Sequence, residues 1–136
     1  VVMELKKKGI EGGVFGDIDL EEHREWVERV CAELQVKPLL PLWRIEPGEL
    51  LAEFWESGFK ATLVATRLDK GLLGRNLDKV LVAEIQKFNS HPCGEAGEYH
   101  TFITGGPIFK VPLKVTPGRR YKKDNIWFME IFAEIE

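Results

Sequence analysis

The sequence predicts an α/β chain in two parts. The first reads as the end of a parallel sheet with helices between its strands, and the second as a smaller α+β part with a hairpin and a last strand. Three observations point there. Up to residue 66, short apolar runs alternate with segments whose apolar residues recur every three or four positions. Glycines and prolines fall between those segments. Past residue 98 the helical spacing gives way to period-two alternation, the mark of strands.

Residues 1–8 read as the last turns of a helix, with Lys6, Lys7 and Lys8 at the carbonyl end, where cations are favoured, and Gly9 just beyond. A helix met without its cap implies the later portion of a longer protein. Residues 10–16 form an apolar run closed by Gly16-Asp17, the pattern of a buried parallel strand that delivers Asp17 at its carboxyl end. Ligands bind at that end of strands in open α/β sheets, so Asp17 faces a ligand, or else Asp17 or Asp19 caps the next helix. Residues 20–34 place Val27, Val30, Cys31 and Leu34 on one helical face and Glu21, Glu22, Glu25 and Glu28 around the others. Cys31 is therefore expected in the core and His23 in solvent.

Residues 36–43 read as the returning strand, with Pro38 and Pro41 expected at its ends, because proline gives the ladder no donor. Trp43 either packs in the core or lies over a ligand. Pro47 opens the next helix and Gly58 closes it, with Leu50, Leu51, Phe54 and Trp55 on one face. Residues 59–66 follow as a strand and continue the strand–helix–strand rhythm. Residues 68–78 form a loop rich in glycine and charge, where Arg75 beside the amides of a starting helix is a candidate anion site. Asn76 is read as that helix's cap and Leu77, Val80, Leu81, Ile85 and Phe88 as its apolar face.

Residues 99–104 and 108–115 read as strands joined by Gly105-Gly106, with Phe109, Val111, Leu113 and Val115 on one face of the second. Arg119-Arg120-Tyr121-Lys122-Lys123 is read as a basic turn, either a solvated loop that discourages edge pairing or a contact to an acidic or phosphate-bearing macromolecule. The last strand, residues 126–135, sets Trp127, Met129, Ile131, Ala133 and Ile135 on one face.

The densest chemistry lies in Cys93-Gly94-Glu95-Ala96-Gly97-Glu98-Tyr99-His100-Thr101-Phe102, which packs two carboxylates, a thiol and an imidazole into ten positions. Glycine lets a backbone turn at positive φ or approach a ligand closely, so this is the candidate functional loop; the alternative is a tight turn with solvated acids.

That decapeptide, followed by Gly106-Pro107-Ile108-Phe109, resembles the signature of the diphthine–ammonia ligase family, also described as N-type ATP pyrophosphatases. Phe15-Gly16-Asp17-Ile18, Pro41-Leu42-Trp43 and Leu73-Gly74-Arg75-Asn76-Leu77-Asp78 match the family in the same order, from about Gly9 to Val115. The resemblance implies a Rossmann-like (HUP-type) sheet, of which residues 1–43 are the remainder of a nucleotide-binding domain, and a substrate domain over residues 44–136. It implies an AMP-forming amide ligase: ATP with Mg2+ adenylates the carboxylate of diphthine, a modified histidine on elongation factor 2, and ammonia then displaces AMP. On this sequence the implied catalytic residues are Glu95, Glu98 and His100. The glutamates would hold a cationic group or the incoming ammonium, and His100 or Thr101 would donate to the acyl oxygen. Asp17, Arg75, Gly94, Gly97, Tyr99 and Thr101 are expected to bind substrate, and Gly16 with Asp17 the nucleotide.

Departures qualify that expectation. Arg24 fills a family arginine position, whereas Trp26 stands where eukaryotic members tend to carry a second one. Ala96 replaces their glycine, and His100 replaces their glutamate, as in prokaryotic relatives, which leaves the amidated acid open. The family's Ser-Gly-Gly-x-Asp-Ser loop for ATP is absent, and Gly12-Gly13 and Gly105-Gly106 lack its serines and aspartate. The expectation is a chain that supplies the substrate-side half of the ligase and does not hydrolyse ATP by itself. Its rival is a non-catalytic binding or assembly module that keeps the fold without the nucleotide half. A metal hydrolase built from His91, Cys93, Glu95 and His100 fits no common zinc spacing, and no metal ligands are assigned.

Composition excludes other classes. With 44% hydrophobic and 30% charged residues the chain is globular, and a net charge of −3 argues against a general nucleic-acid or membrane-surface binder. No apolar run reaches the roughly 18 residues of a membrane span and no signal segment is present, so the cytoplasm is the expected location. Cys31 and Cys93 make no disulfide framework. The uncovered edge of a shortened sheet predicts self-association into a homo-oligomer.

Overall fold

The computed structural model describes residues 1–135, without the side chain of Ile135. The face expected of the last strand is therefore followed as far as Ala133, and Ile135 lies outside the described side chains. The fold is mixed α/β, in two compact units, Val1–Glu46 and Pro47–Glu136. No helix among the described residues is long and apolar enough to cross a membrane.

In the first unit, α1 (Val2–Lys7) ends on Lys6 and Lys7, with Gly9 at φ +88°, and the Lys6 ammonium donates to the Leu34 carbonyl at 2.7 Å. Strand β1 (Gly12–Val14) pairs in parallel with β2 (Lys37–Leu39), and α2 (Glu21–Leu34) connects them. Helix α2 buries Val27 and Cys31, the positions its period assigns to the core. Both strands are shorter than expected, and Pro38 lies inside β2 instead of at its end. Lys37 donates to Glu11 and Leu39 accepts from Phe15, so Pro38 turns its missing donor away from β1 and costs the ladder nothing. The N-cap of α2 is Leu20, without a side-chain bond, so Asp17 is not its cap.

In the second unit, α3 (Pro47–Glu56) precedes β3 (Lys60–Thr66), a 3-10 turn (Lys70–Leu72) and α4 (Lys79–Gln86). Strands β4 (Tyr99–Gly105), β5 (Leu113–Lys123) and β6 (Ile126–Ile135) complete one sheet in the order β4-β3-β6-β5. Every pairing in it is antiparallel, so the parallel rhythm does not continue into β3. Instead β3 is the central strand, buried along its length except for Lys60 and the half-buried Val64. Leu63, Tyr99 and Met129 pack with Leu72, Leu73, Leu81 and Ile85 into the core. Leu63, Leu81 and Ile85 expose none of their surface, and truncating any one of them to alanine costs about 2–5 kcal/mol.

Three local expectations are corrected. Gly105-Gly106 makes no hairpin: residues 106–112 run between β4 and β5, and Phe109 and Val111 are loop residues. Gly106 instead admits the Phe59 ring, which a Cβ would meet at 2.3 Å. The hairpin of this sheet joins β5 to β6 through Asp124-Asn125, at φ +48° and +63°, the positive pair that a two-residue turn between twisted strands demands. Residues 119–123 are accordingly strand, not turn. Helix α4 is capped by Asp78, whose carboxylate accepts the Leu81 N–H at 2.8 Å, while Asn76 forms a bridge with Thr62 beside β3. That later start turns Val82 inward and leaves Val80 and Phe88 exposed.

Candidate functional site

The loop between α4 and β4 folds on itself through short bonds. Gly94 donates to the His91 carbonyl and Gly97 to the Gly94 carbonyl, both at 3.0 Å, and both glycines hold positive φ, +74° and +77°. A Cβ on Gly94 would meet the Tyr99 ring at 3.0 Å, whereas for one on Gly97 the nearest atoms are those of the Arg67 guanidinium, at 3.7 Å. The Cys93 N–H donates to His91 Nδ1 at 3.1 Å, and the Cys93 thiol points to the Pro47 carbonyl at 3.8 Å.

Two residues anchor this loop to the sheet. Tyr99 is buried and donates its hydroxyl to the Pro92 carbonyl. Burial, with Cys93, Glu98 and Glu95 nearby, holds its phenol well above the usual tyrosine range, so it stays neutral and acts as a post for the loop. Glu98 accepts the His91 N–H on Oε1 at 2.8 Å, and its carbonyl accepts from Arg67 N and Thr66 Oγ1. Its other carboxylate oxygen, Oε2, is buried and has no hydrogen-bond partner among the described residues. Leaving a carboxylate oxygen so placed costs on the order of 1–3 kcal/mol, which a cation or a donor brought by a ligand would offset. Glu95 is half-buried on the same loop.

The remaining expected site residues lie elsewhere. His100 and Thr101 stand on β4 opposite Ala65 and Leu63, with His100 exposed and Thr101 half-buried. Arg75 is held by Glu84 in a two-pronged pair, which raises the guanidinium's pKa and lowers that of the carboxylate. The pair lines a hollow of about 390 Å³ with Asp69, Gly71, Leu72, Lys87 and Phe88, and no residue of the acidic loop borders it. The expected anion site at a helix start is not formed: α4 begins at Lys79 behind the acidic cap Asp78, and the arginine is already neutralised.

In the first unit, Asp17 follows β1 and lies 3.1 Å from His23 Nδ1, and His23 is exposed, as expected, while it makes this contact. Both residues line a cavity of about 400 Å³ with Phe15, Trp26 and Val27. Gly16 precedes it at ordinary φ with open space where a Cβ would stand. Arg24 lies 3.3 Å from Glu21 and 3.1 Å from Glu28, the latter contact too oblique for a hydrogen bond, with its guanidinium over the Trp43 ring at 5.4 Å. Trp43 is half-buried.

The paired glycines do not form a phosphate loop. Among the described residues no three His, Cys, Asp or Glu side chains are grouped to hold a metal ion. Gly12-Gly13 lie in β1, where Gly12 gives room to the Lys37 carbonyl at 2.9 Å, and neither glycine pair opens a helix.

Arg67 and Thr66 were missed by sequence reasoning. Both stand at the carboxyl end of β3 and donate to the Glu98 carbonyl, a contact that no local sequence signal marks.

Residues 46–135 match the family described as the diphthamide synthase C-terminal domain. The chain is 38% identical over 109 residues to the diphthine–ammonia ligase of Danio rerio, which covers 74% of this chain and 42% of the relative. It is 37% identical over 112 residues to that of Homo sapiens, covering 77% and 42%. With that of Schizosaccharomyces pombe it shares 39% over 100 residues, covering 68% and 16%. The chain thus spans less than half the length of the curated relatives it matches.

Proposed function

This chain belongs to the diphthamide synthase C-terminal domain family, and from that premise we propose that it supplies the acceptor-side half of an ATP-dependent, AMP-forming amide ligase. The relatives' names support a ligase function in diphthamide synthesis. The acceptor is the carboxylate of diphthine on elongation factor 2, or a related carboxylate, and the nitrogen comes from ammonia. Residues 1–43 belong to the nucleotide-binding domain and residues 44–136 to the substrate domain.

The observation that carries this reading is the Glu98 carboxylate, pinned through one oxygen to the His91 N–H while the other is buried without a hydrogen-bond partner among the described residues. A fixed anion in a half-buried loop attracts a cation, and both the trimethylammonium group of the acceptor and an incoming ammonium are cations. Glu98 binds and orients that group, and Glu95, on the same loop, adds a second negative charge. Gly94 and Gly97 set the curve that points the acids to the acceptor, and Tyr99 fixes its base. His100 and Thr101 donate to the acyl oxygen, and Arg75 takes its part in substrate binding only by leaving Glu84. Activation of the carboxylate is assigned to the missing phosphate loop, in another part of the protein or in another chain. Asp17 and Gly16 meet the nucleotide from the first unit.

The pairing of Arg75 with Glu84, which leaves the expected anion site unformed, favours a second reading, a non-catalytic module that binds the acceptor without amidating it. Expressing the full reading frame and following pyrophosphate release with candidate carboxylic acids and ammonium separates the two. Release that depends on both supports the ligase; acceptor binding without release supports the module. The protein works in the cytoplasm and as a homo-oligomer, since β4 and β5 are the outer strands of their sheet. Sedimentation as a clean monomer at high concentration would contradict the oligomer.

A further inference from the structure

We infer that the β5–β6 hairpin docks an acidic face of the acceptor protein, an inference that rests on the acceptor reading above. The chain carries 22 acidic residues against 19 basic ones, yet Arg119, Arg120, Lys122 and Lys123 place four cations within five positions. All five residues of that run are exposed on β5. On the neighbouring 3-10 turn, Lys70 adds a fifth cation. Its ammonium lies 5.7 Å from the centre of the Trp127 ring, and that of Lys122 lies 5.4 Å from the same ring. Two like charges from separate elements thus converge on one indole, and among the described residues none of Lys70, Lys122 and Lys123 is ion-paired. Like charges held together repel, and an anionic surface laid over them relieves that repulsion.

Position gives the patch its purpose. Thr66 stands opposite Tyr99 on one side and opposite Trp127 on the other. The closed end of the hairpin and the acidic loop therefore share one end of the sheet, two strand spacings or about 10 Å apart. A macromolecule that inserts one side chain at the loop must cover the hairpin, whereas a small acceptor need not touch it. The patch suits an acidic protein better than a single-stranded nucleic acid. Tyr121 already carries Phe128 stacked at 5.4 Å and Arg119 over its ring, and Trp127 carries two lysines, so neither of these two rings beside the lysines is open for a base. Arg120 is excluded from the docking set because it donates to the Leu73 carbonyl at 3.0 Å.

The test uses the full-length protein with Lys70→Glu, Lys122→Glu and Lys123→Glu combined, and the same three positions changed to Arg as the conservative control. Binding is read by fluorescence anisotropy with fluorescein-labelled acceptor protein and, separately, a labelled 20-nucleotide single-stranded RNA of mixed sequence. The charge-reversed variant is expected to bind the acceptor protein about tenfold or more weakly, with its salt dependence lost, while the arginine variant binds as the parent does. Amidation of a short acceptor peptide is expected to stay unchanged. Equal binding of the acceptor by parent and charge-reversed variant, no binding by the parent, or tighter binding of the RNA than of the acceptor would overturn the inference. Failure of the loop reading shows differently, as amidation unaffected by Glu98→Gln while the hairpin variant still loses its partner.

Discussion

Glu98 Oε1 accepts the His91 N–H at 2.8 Å, and that single bond closes the acidic loop across seven positions of sequence. One oxygen of the carboxylate serves the backbone, and the other is buried without a hydrogen-bond partner among the described residues. Shape and charge are therefore separable by mutation. Glu98→Gln keeps an oxygen to accept the His91 N–H, so its unfolding free energy should change by less than about 1 kcal/mol. Glu98→Ala removes the acceptor and should cost about 1–3 kcal/mol. Urea denaturation of both variants checks the order.

The two loop glycines should differ. At Gly94 alanine meets both positive φ and the Tyr99 ring, so Gly94→Ala should destabilise by about 2–3 kcal/mol. At Gly97 there is room for a methyl group and only the backbone is strained, so Gly97→Ala should cost about 1 kcal/mol. Chemical denaturation that ranks Gly97→Ala as the worse would refute the role given to the Tyr99 ring.

Tyr99 predicts an alkaline limit. Its folded pKa lies above the ordinary tyrosine value of about 10, so the folded state holds the phenol proton more tightly than the unfolded chain does. Its contribution is fully present below pH about 10 and is lost as pH rises towards the folded value. Unfolding free energy measured between pH 8 and 11 should fall more steeply above about 10 for the parent than for Tyr99→Phe. Parallel curves would contradict the neutral, buried phenol.

The Arg75–Glu84 pair predicts an acid limit of opposite sign. The arginine holds the folded pKa of Glu84 below the ordinary glutamate value of about 4.3. Stability from the pair is complete above that value and disappears as pH falls through the lowered folded pKa. Parent and Glu84→Gln should therefore differ in thermal midpoint at pH 7 and converge as the pH is lowered towards 2. A gap that persists in acid would mean that the pairing is not what Glu84 contributes.

Much of this was legible from residues with strong local rules. Pro47 and Gly58 bound α3, Gly9 follows α1, and Val27 and Cys31 face inward because their spacing allows only one buried stripe. The four-stranded sheet was less legible. Direction of pairing is not written in a strand's own pattern, so β3 read as parallel until β4 and β6 claimed both its sides. Gly105-Gly106 drew the hairpin reading because glycine is the commoner turn residue, and Asp124-Asn125 was not read as a turn although asparagine and aspartate also tolerate the left-handed backbone. Arg75 read as a phosphate ligand because its partner Glu84 lies nine positions away on another element, beyond any local rule. The acidic loop was visible as a cluster of chemistry, but the bond from His91 to Glu98 and the nearness of Arg67 emerge only once β3 and β4 are paired.

The central claim, that Glu98 presents its charge to the acceptor, is tested most directly by amidation of the acceptor protein in the full-length enzyme. Product is counted by mass spectrometry with ATP and ammonium in excess, and the thermal midpoint is followed in parallel. Glu98→Gln should keep its thermal midpoint and lose amidation by about a hundredfold. An equally stable Glu98→Gln enzyme that amidates at the parent's rate would contradict the account.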